Sequence, residues 1–267
     1  IGEESYSQTT GEVNFRNVTT LGSNAGRYAT GSYNTFLGSF AGRGGTTSAP
    51  YSSGEYNVAV GYQALDAFTT GDRNVAVGPN ALNTLTTGYR NISIGDRAGN
   101  SITSGHSGVY IGYLAGYGGN QSGNVAIGRE ALYSANNNSN VAVGYQAGRY
   151  TTANDGVWIG VGAGSSNAGG GQSVIVGHYA GQYTVGSEVT HVGRAAGQYA
   201  SGSRNTFVGS AAGKGGTTSA PYSSGQYNVA MGYNAFDAFT TGNLNVAIGY
   251  QALSKETIGI STVAIGD

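Results

Sequence analysis

The chain has 267 residues, of which 49 are Gly and 20 are Tyr, with 3 Pro, no Cys and a formal charge of −1. Without clustered Lys or Arg there is no surface to neutralise a phosphate backbone, and without Cys there are no disulfides, thiolate metal sites or thiol nucleophiles. The glycines follow no Gly-X-Y period and accompany many β-branched residues, which excludes collagen and a flexible linker, and no apolar run reaches the ~18 residues of a membrane helix.

Residues 1–17 read as a lead-in or degenerate first turn. From residue 18 to 267 one phrase recurs, as in Asn57-Val58-Ala59-Val60-Gly61, and its Gly serves here as position 0 of each unit. That Gly falls at 22, 38, 61, 78, 95, 112, 128, 144, 160, 177, 193, 209, 232, 249 and 266, so the spacing is 16 or 17 with two exceptions of 23. Position −3 is β-branched throughout, position −1 is Val, Ile, Leu or Met, and position +3 is Ala in every unit that reaches it. Each unit therefore predicts a strand of about five residues, a Gly corner, a second short strand such as Tyr62-Gln63-Ala64-Leu65, and a turn. A unit this short buries no core alone but does so when stacked on its neighbours, which predicts an all-β parallel solenoid of about 15 turns and a rod on the order of 70 Å long.

The long spacings come from inserted loops at 43–56 and 214–227. They belong to a super-repeat in which 27–96 aligns on 198–267 with 46 of 70 positions identical. Projecting loops are where a uniform coil can carry a site. Tyr51 and Tyr56 in the first loop, and Tyr222 and Tyr227 in the second, are the candidate contacts to a surface glycan or receptor, because a phenol ring both stacks on and hydrogen-bonds to sugars.

Strand alternation predicts that −3 and −1 pack inside the coil while −2 points away. Position −2 carries no acid, Lys or Arg, so Ala59, Ala76, Tyr110, Ala126, Ala142, Trp158, Ala230 and Ala247 are the expected interchain packing residues around an oligomer axis. At −4, Asn57, Asn74, Asn91, Asn124, Asn140, Asn228 and Asn245 (with Asn34 and Asn205) are the expected structural ladder, bonding from turn to turn.

The phrase Asn-Val-Ala-Val/Ile-Gly-x-x-Ala resembles the head repeats of trimeric autotransporter adhesins and, with Tyr-Gln-Ala-Leu and Thr-Thr-Gly as in Tyr62 to Gly71, similar repeats of phage-type tail fibres. The resemblance implies a left-handed parallel β-roll packed as a homotrimer, extracellular on a cell or particle. It implies a structural fibre segment that contributes length, stiffness and attachment to a host or cell surface.

Chemistry is not expected. His106, His178 and His191 have no acid–base partner at a repeat-compatible spacing, no turn stacks the carboxylate pair a glycosidase needs, and regularly placed calcium-binding Asp residues are lacking. No enzyme activity, cofactor, metal, nucleic acid or membrane insertion is predicted. The alternative is an ice-binding solenoid, for which Thr69-Thr70, Thr86-Thr87, Thr151-Thr152 and Thr240-Thr241 give a broken Thr ladder. The chain opens on Ile1-Gly2 and stops within the repeat, so it is expected to be part of a longer protein.

Overall fold

A computed structural model describes residues 17–45, 51–166 and 171–267, so most of the 1–17 lead-in and the tip of the first inserted loop lie outside the described residues. The described residues contain β-strands and turns and no helix. The chain divides into two compact units, residues 1–136 and 137–267. The first holds β1 (Thr19–Leu21), β2 (Thr35–Leu37), β3 (Val58–Val60), β4 (Val75–Val77), β5 (Ile92–Ile94), β6 (Val109–Ile111) and β7 (Val125–Ile127). The second holds β8 (Val141–Val143), β9 (Val157–Ile159), β10 (Val174–Val176), β11 (Thr190–Val192), β12 (Thr206–Val208), β13 (Val229–Met231), β14 (Val246–Ile248) and β15 (Val263–Ile265). Within each unit every strand pairs in parallel with the strand of the next turn, position on position, as in Val58↔Val75 and Ala59↔Ala76 or Val229↔Val246 and Ala230↔Ala247. This is a parallel β-solenoid.

Each turn contains one strand of three residues, shorter than the five expected, and the expected second strand is a run of turns. The cause is local. Gln63 and Leu65 have φ of 54° and 52°, as do their counterparts in other turns, so the segment after the corner alternates left-handed with ordinary residues and never becomes extended. Its backbone is nonetheless spent on stacking: the Gln63 N–H donates to Ser39 O of the preceding turn and the Leu65 N–H to Ala81 O of the following one. At the corner, Gly61 has φ of 132°, and a Cβ there would lie 2.8 Å from the carbonyl of Gly78. Backbone conformation and turn-to-turn spacing both demand glycine at that position.

The faces of the strand are the reverse of the expectation. Ala59, Ala76, Tyr110, Ala126, Ala142, Trp158, Ala230 and Ala247 are wholly buried within a single chain. They point into their own coil and cannot be the interchain contacts. Positions −3 and −1 face outward and are half-buried or exposed. Period-two alternation separates two faces but says nothing about which is inside, and volume settles it here. The −2 side chain meets the +3 Ala column (Ala64, Ala81, Ala131), which is also fully buried. Between position −2 and position +4 there is room for one large side chain, not two, while a second large residue such as Phe68, Leu85 or Phe239 fills the far end of its turn.

How that room is shared follows a rule. Where −2 is Ala, +4 is large: Ala59 goes with Leu65, Ala76 with Leu82, Ala126 with Leu132, Ala230 with Phe236 and Ala247 with Leu253. Where −2 is aromatic, +4 is Gly: Phe36 with Gly42, Tyr110 with Gly116, Trp158 with Gly164, His191 with Gly197 and Phe207 with Gly213. A Cβ at Gly116 or Gly164 would sit 2.0 Å from the Tyr110 ring or 2.1 Å from the Trp158 indole. The one Ala turn with Gly at +4, Ala142 with Gly148, stands in register beside Trp158. The aromatic turns and all but one of the Ala turns thus keep a near-constant cross-section, as close packing requires, whereas Thr20 with Gly26 and Ser93 with Gly99 fall outside the rule.

The −4 asparagines join the turns, chiefly through the backbone. The N–H groups of Asn57, Asn74 and Asn91 donate to Oδ1 of Asn34, Asn57 and Asn74 at 2.8, 2.9 and 3.0 Å. In the second unit, Asn228 and Asn245 do the same toward Asn205 and Asn228 at 2.8 and 3.0 Å. Their Nδ2 groups meanwhile donate to turn carbonyls such as Gly71, Gly88 and Gly105 at 2.8–2.9 Å. Asn140 accepts from Gly156 N–H, and Asn124 donates to Gln121 Oε1. Being fully buried, each amide needs all of these partners.

Candidate functional surfaces

The outward strand face runs along every strand of both units. Its two columns contain only Val, Ile, Thr, Leu and Met. Leu21, Leu37, Ile94, Ile127, Ile159 and Met231 are between 37% and 55% exposed, a degree of aliphatic exposure that isolated chains rarely sustain over contiguous positions. Tyr62, Tyr113, Tyr145, Tyr233 and Tyr250, each directly after a corner Gly, are also exposed beside it.

The four loop tyrosines are set in stacks. Tyr33, Tyr56 and Arg73 occupy position −5 of three consecutive turns, so the Tyr56 ring lies between the Tyr33 ring at 4.8 Å and the Arg73 guanidinium at 5.4 Å. Arg204, at the same position one turn earlier than Tyr227, sits 5.3 Å from the Tyr227 ring centre and donates to its hydroxyl at 2.7 Å. Tyr51 stacks at 6.3 Å on Tyr28, and Tyr222 at 5.1 and 6.1 Å on Tyr183 and Tyr199. Ring faces are therefore largely used within the chain.

Both inserted loops return to the stack before they end. Ser52 and Ser223 return to the stack as bridge partners of Ala29 and Ala200, and their N–H groups donate to Tyr28 O and Tyr199 O. In the second loop the outermost part is Thr218 to Pro221, all exposed. At the base of the first, Arg43 forms a 2.8 Å ion pair with Asp66; burial raises the Asp66 pKa and Arg43 opposes that shift. At the base of the second, burial likewise raises Asp237, opposed by its own backbone hydrogen bond and by Lys214.

The histidines are packed apart from one another. His106 stacks on Tyr89 at 4.8 Å and His178 lies against Tyr179 at 4.1 Å. His191 is fully buried against Phe207 at 5.0 Å, and neither ring nitrogen has a partner. Burial pushes its pKa down to about 3, so it is neutral at pH 7. Among the described residues no three His, Cys, Asp or Glu side chains gather to hold a metal. A shallow groove of about 410 Å³ is lined by Thr152, Asn154, Asp155, Gln172, Ser187 and Glu188, whose carboxylate is engaged by Arg204 at 3.1 Å. Of the threonines in the ladder, Thr69, Thr86 and Thr240 donate their Oγ1 hydroxyls to the carbonyls of Thr86, Thr103 and Thr257 in the next turn.

Sequence reasoning missed the sharing of volume between −2 and +4. The signal was available as covariation between turns of the same chain, Ala with Leu and aromatic with Gly. No known protein family, curated protein or solved structure matches this chain.

Proposed function

We propose that this chain is a structural segment of an extracellular fibre, in which three copies pack through their −3/−1 strand faces and the assembly contributes reach and attachment to a host or cell surface. The observation that carries this reading is the charge-free, mainly aliphatic face along the strands of both units, which a single chain leaves half exposed. Three copies, rather than two, follows from the resemblance to adhesin and tail-fibre repeats. The outward strand orientation supports the −3/−1 face as the contact, in place of the −2 residues first expected there. Such a segment works without a reaction: weak contacts repeated on identical chains sum by avidity.

Replacing Ile94 and Ile127 together with Asp tests the interface. Both are more than one-third exposed, so the single coil tolerates the change, whereas a charge buried between chains lacks a partner and costs several kcal/mol. The variant is expected to fall to single chains in sedimentation while keeping its β circular-dichroism signal. An unchanged assembled mass would place the interface elsewhere.

A further inference from the structure

We propose that the stacked tyrosines are modification sites, at which a one-electron oxidant of the peroxidase class, working on hydrogen peroxide, couples Tyr33 to Tyr56 and Tyr117 to Tyr133 as dityrosine. This goes beyond the fibre reading and does not depend on it. The chain has 20 tyrosines and no cysteine, so disulfides cannot staple one turn to the next. The tyrosines are instead paired across turns. The Tyr33 and Tyr56 ring centres are 4.8 Å apart with planes 5° from parallel, and those of Tyr117 and Tyr133 are 5.2 Å apart at 9°. Tyr33 and Tyr56 are 42% and 47% exposed, open to a small oxidant and to electron transfer at the surface. Exposed rings reorient on a ps–ns timescale, so a stacked pair samples the tilt that brings the two carbons ortho to the hydroxyls together.

The chemistry balances without any group supplied by the protein. Each phenol loses one electron and one proton to become a phenoxyl radical. The two radicals join ortho carbon to ortho carbon, and the hydrogens on the newly bonded carbons move to the oxygens, restoring two phenols. Hydrogen peroxide accepts the two electrons and two protons and leaves as two waters. The new bonds close segments between residues 23 and 16 apart in sequence, each tying one turn to its successor, which restricts the unfolded chain as a disulfide would.

The test treats the dilute folded protein with peroxidase and hydrogen peroxide, then combines a denaturing gel with protease digestion and mass spectrometry. Expected are one-chain gel mobility, dityrosine fluorescence, and linked peptide pairs, each lighter by two hydrogens, that include Tyr33–Tyr56 and Tyr117–Tyr133 and extend to the other cross-turn stacks, Tyr233–Tyr250 and Tyr183–Tyr199. Tyr56→Phe keeps the ring stack and should abolish the first pair while leaving the second. Tyr89 is 40% exposed but stacks on His106 instead of a tyrosine, so it should stay uncoupled. Coupling that includes Tyr89 as often as the stacked pairs, coupling mainly between chains, or coupling no faster in the folded than in the urea-unfolded protein would overturn the assignment.

Discussion

Replacing Gly164 with Leu is expected to unfold the turns around β9, and replacing Trp158 with Ala at the same time is expected to restore them. Alone, the leucine has nowhere to go, because its Cβ would meet the indole at 2.1 Å; overpacking costs about 1–3 kcal/mol in ordinary cores and more against a rigid ring. Alone, Trp158→Ala empties the largest buried side chain of the molecule and should cost about 3–5 kcal/mol. Together they recreate the Ala59/Leu65 type of turn. Backbone conformation is no obstacle. Gly164 has φ of 56°, and Leu65, Leu82, Leu132, Phe236 and Leu253 already occupy the equivalent position at 48–53°. The double-mutant cycle, measured by denaturant unfolding, should therefore show a favourable coupling of about 2 kcal/mol or more. Additive losses would mean that the two positions do not share one space.

Acidification is expected to weaken the turns around β11 through His191. Its imidazole is neutral and unpaired inside the coil, between the rows containing Ile175 and Phe207, with no ionisable side chain at the neighbouring inward positions of either row. In the unfolded chain it binds a proton near pH 6.5, whereas in the fold it does so only near pH 3. Lowering the pH below about 6.5 thus favours the unfolded state, and this loss grows until the folded pKa is reached. His191→Phe removes the titration and keeps the ring on Phe207, since Phe36 and Phe207 fill the same position opposite Gly42 and Gly213. At pH 7 the variant should be more stable by about 1–3 kcal/mol, having no unsatisfied ring nitrogens. At pH 4 the gap should widen by about 3 kcal/mol. Asp66 and Asp237 titrate equally in both proteins and cancel in the difference. A gap that stays constant from pH 7 to pH 4 would show that His191 is not held neutral.

The repeat, its parallel stacking and the positions of its corners were legible because glycine at the corner has no substitute, as Gly61 shows. The asparagines were legible for a related reason: a polar residue between apolar ones, in register every turn, needs a partner in the next turn. The inside and outside of the strand were not legible from alternation, because Val58, Ala59 and Val60 are all apolar and period two is symmetric between faces. Reading Ala59 against Leu65 and Trp158 against Gly164 breaks that symmetry. The missing second strand has a different cause. Gln63 and Leu65 carry none of the Gly or Asn signature that marks left-handed residues, but their counterparts do, as Asn24, Asn80 and Asn234 at +2 and as Gly42, Gly116 and Gly164 at +4, so the signal lay in the other turns. Tyr33 over Tyr56 follows from their common position in the repeat, whereas Tyr222 joining Tyr183 and Tyr199 depends on the path of the inserted loop, which spacing does not contain.

Assembly through the outward strand face is tested most directly by the absolute mass of the unmodified protein in solution, measured by light scattering across a dilution series. A mass of three chains that persists on dilution is expected. A stable, folded single chain would contradict it, because the aliphatic columns through Ile94 and Ile127 would then stand in water with nothing covering them.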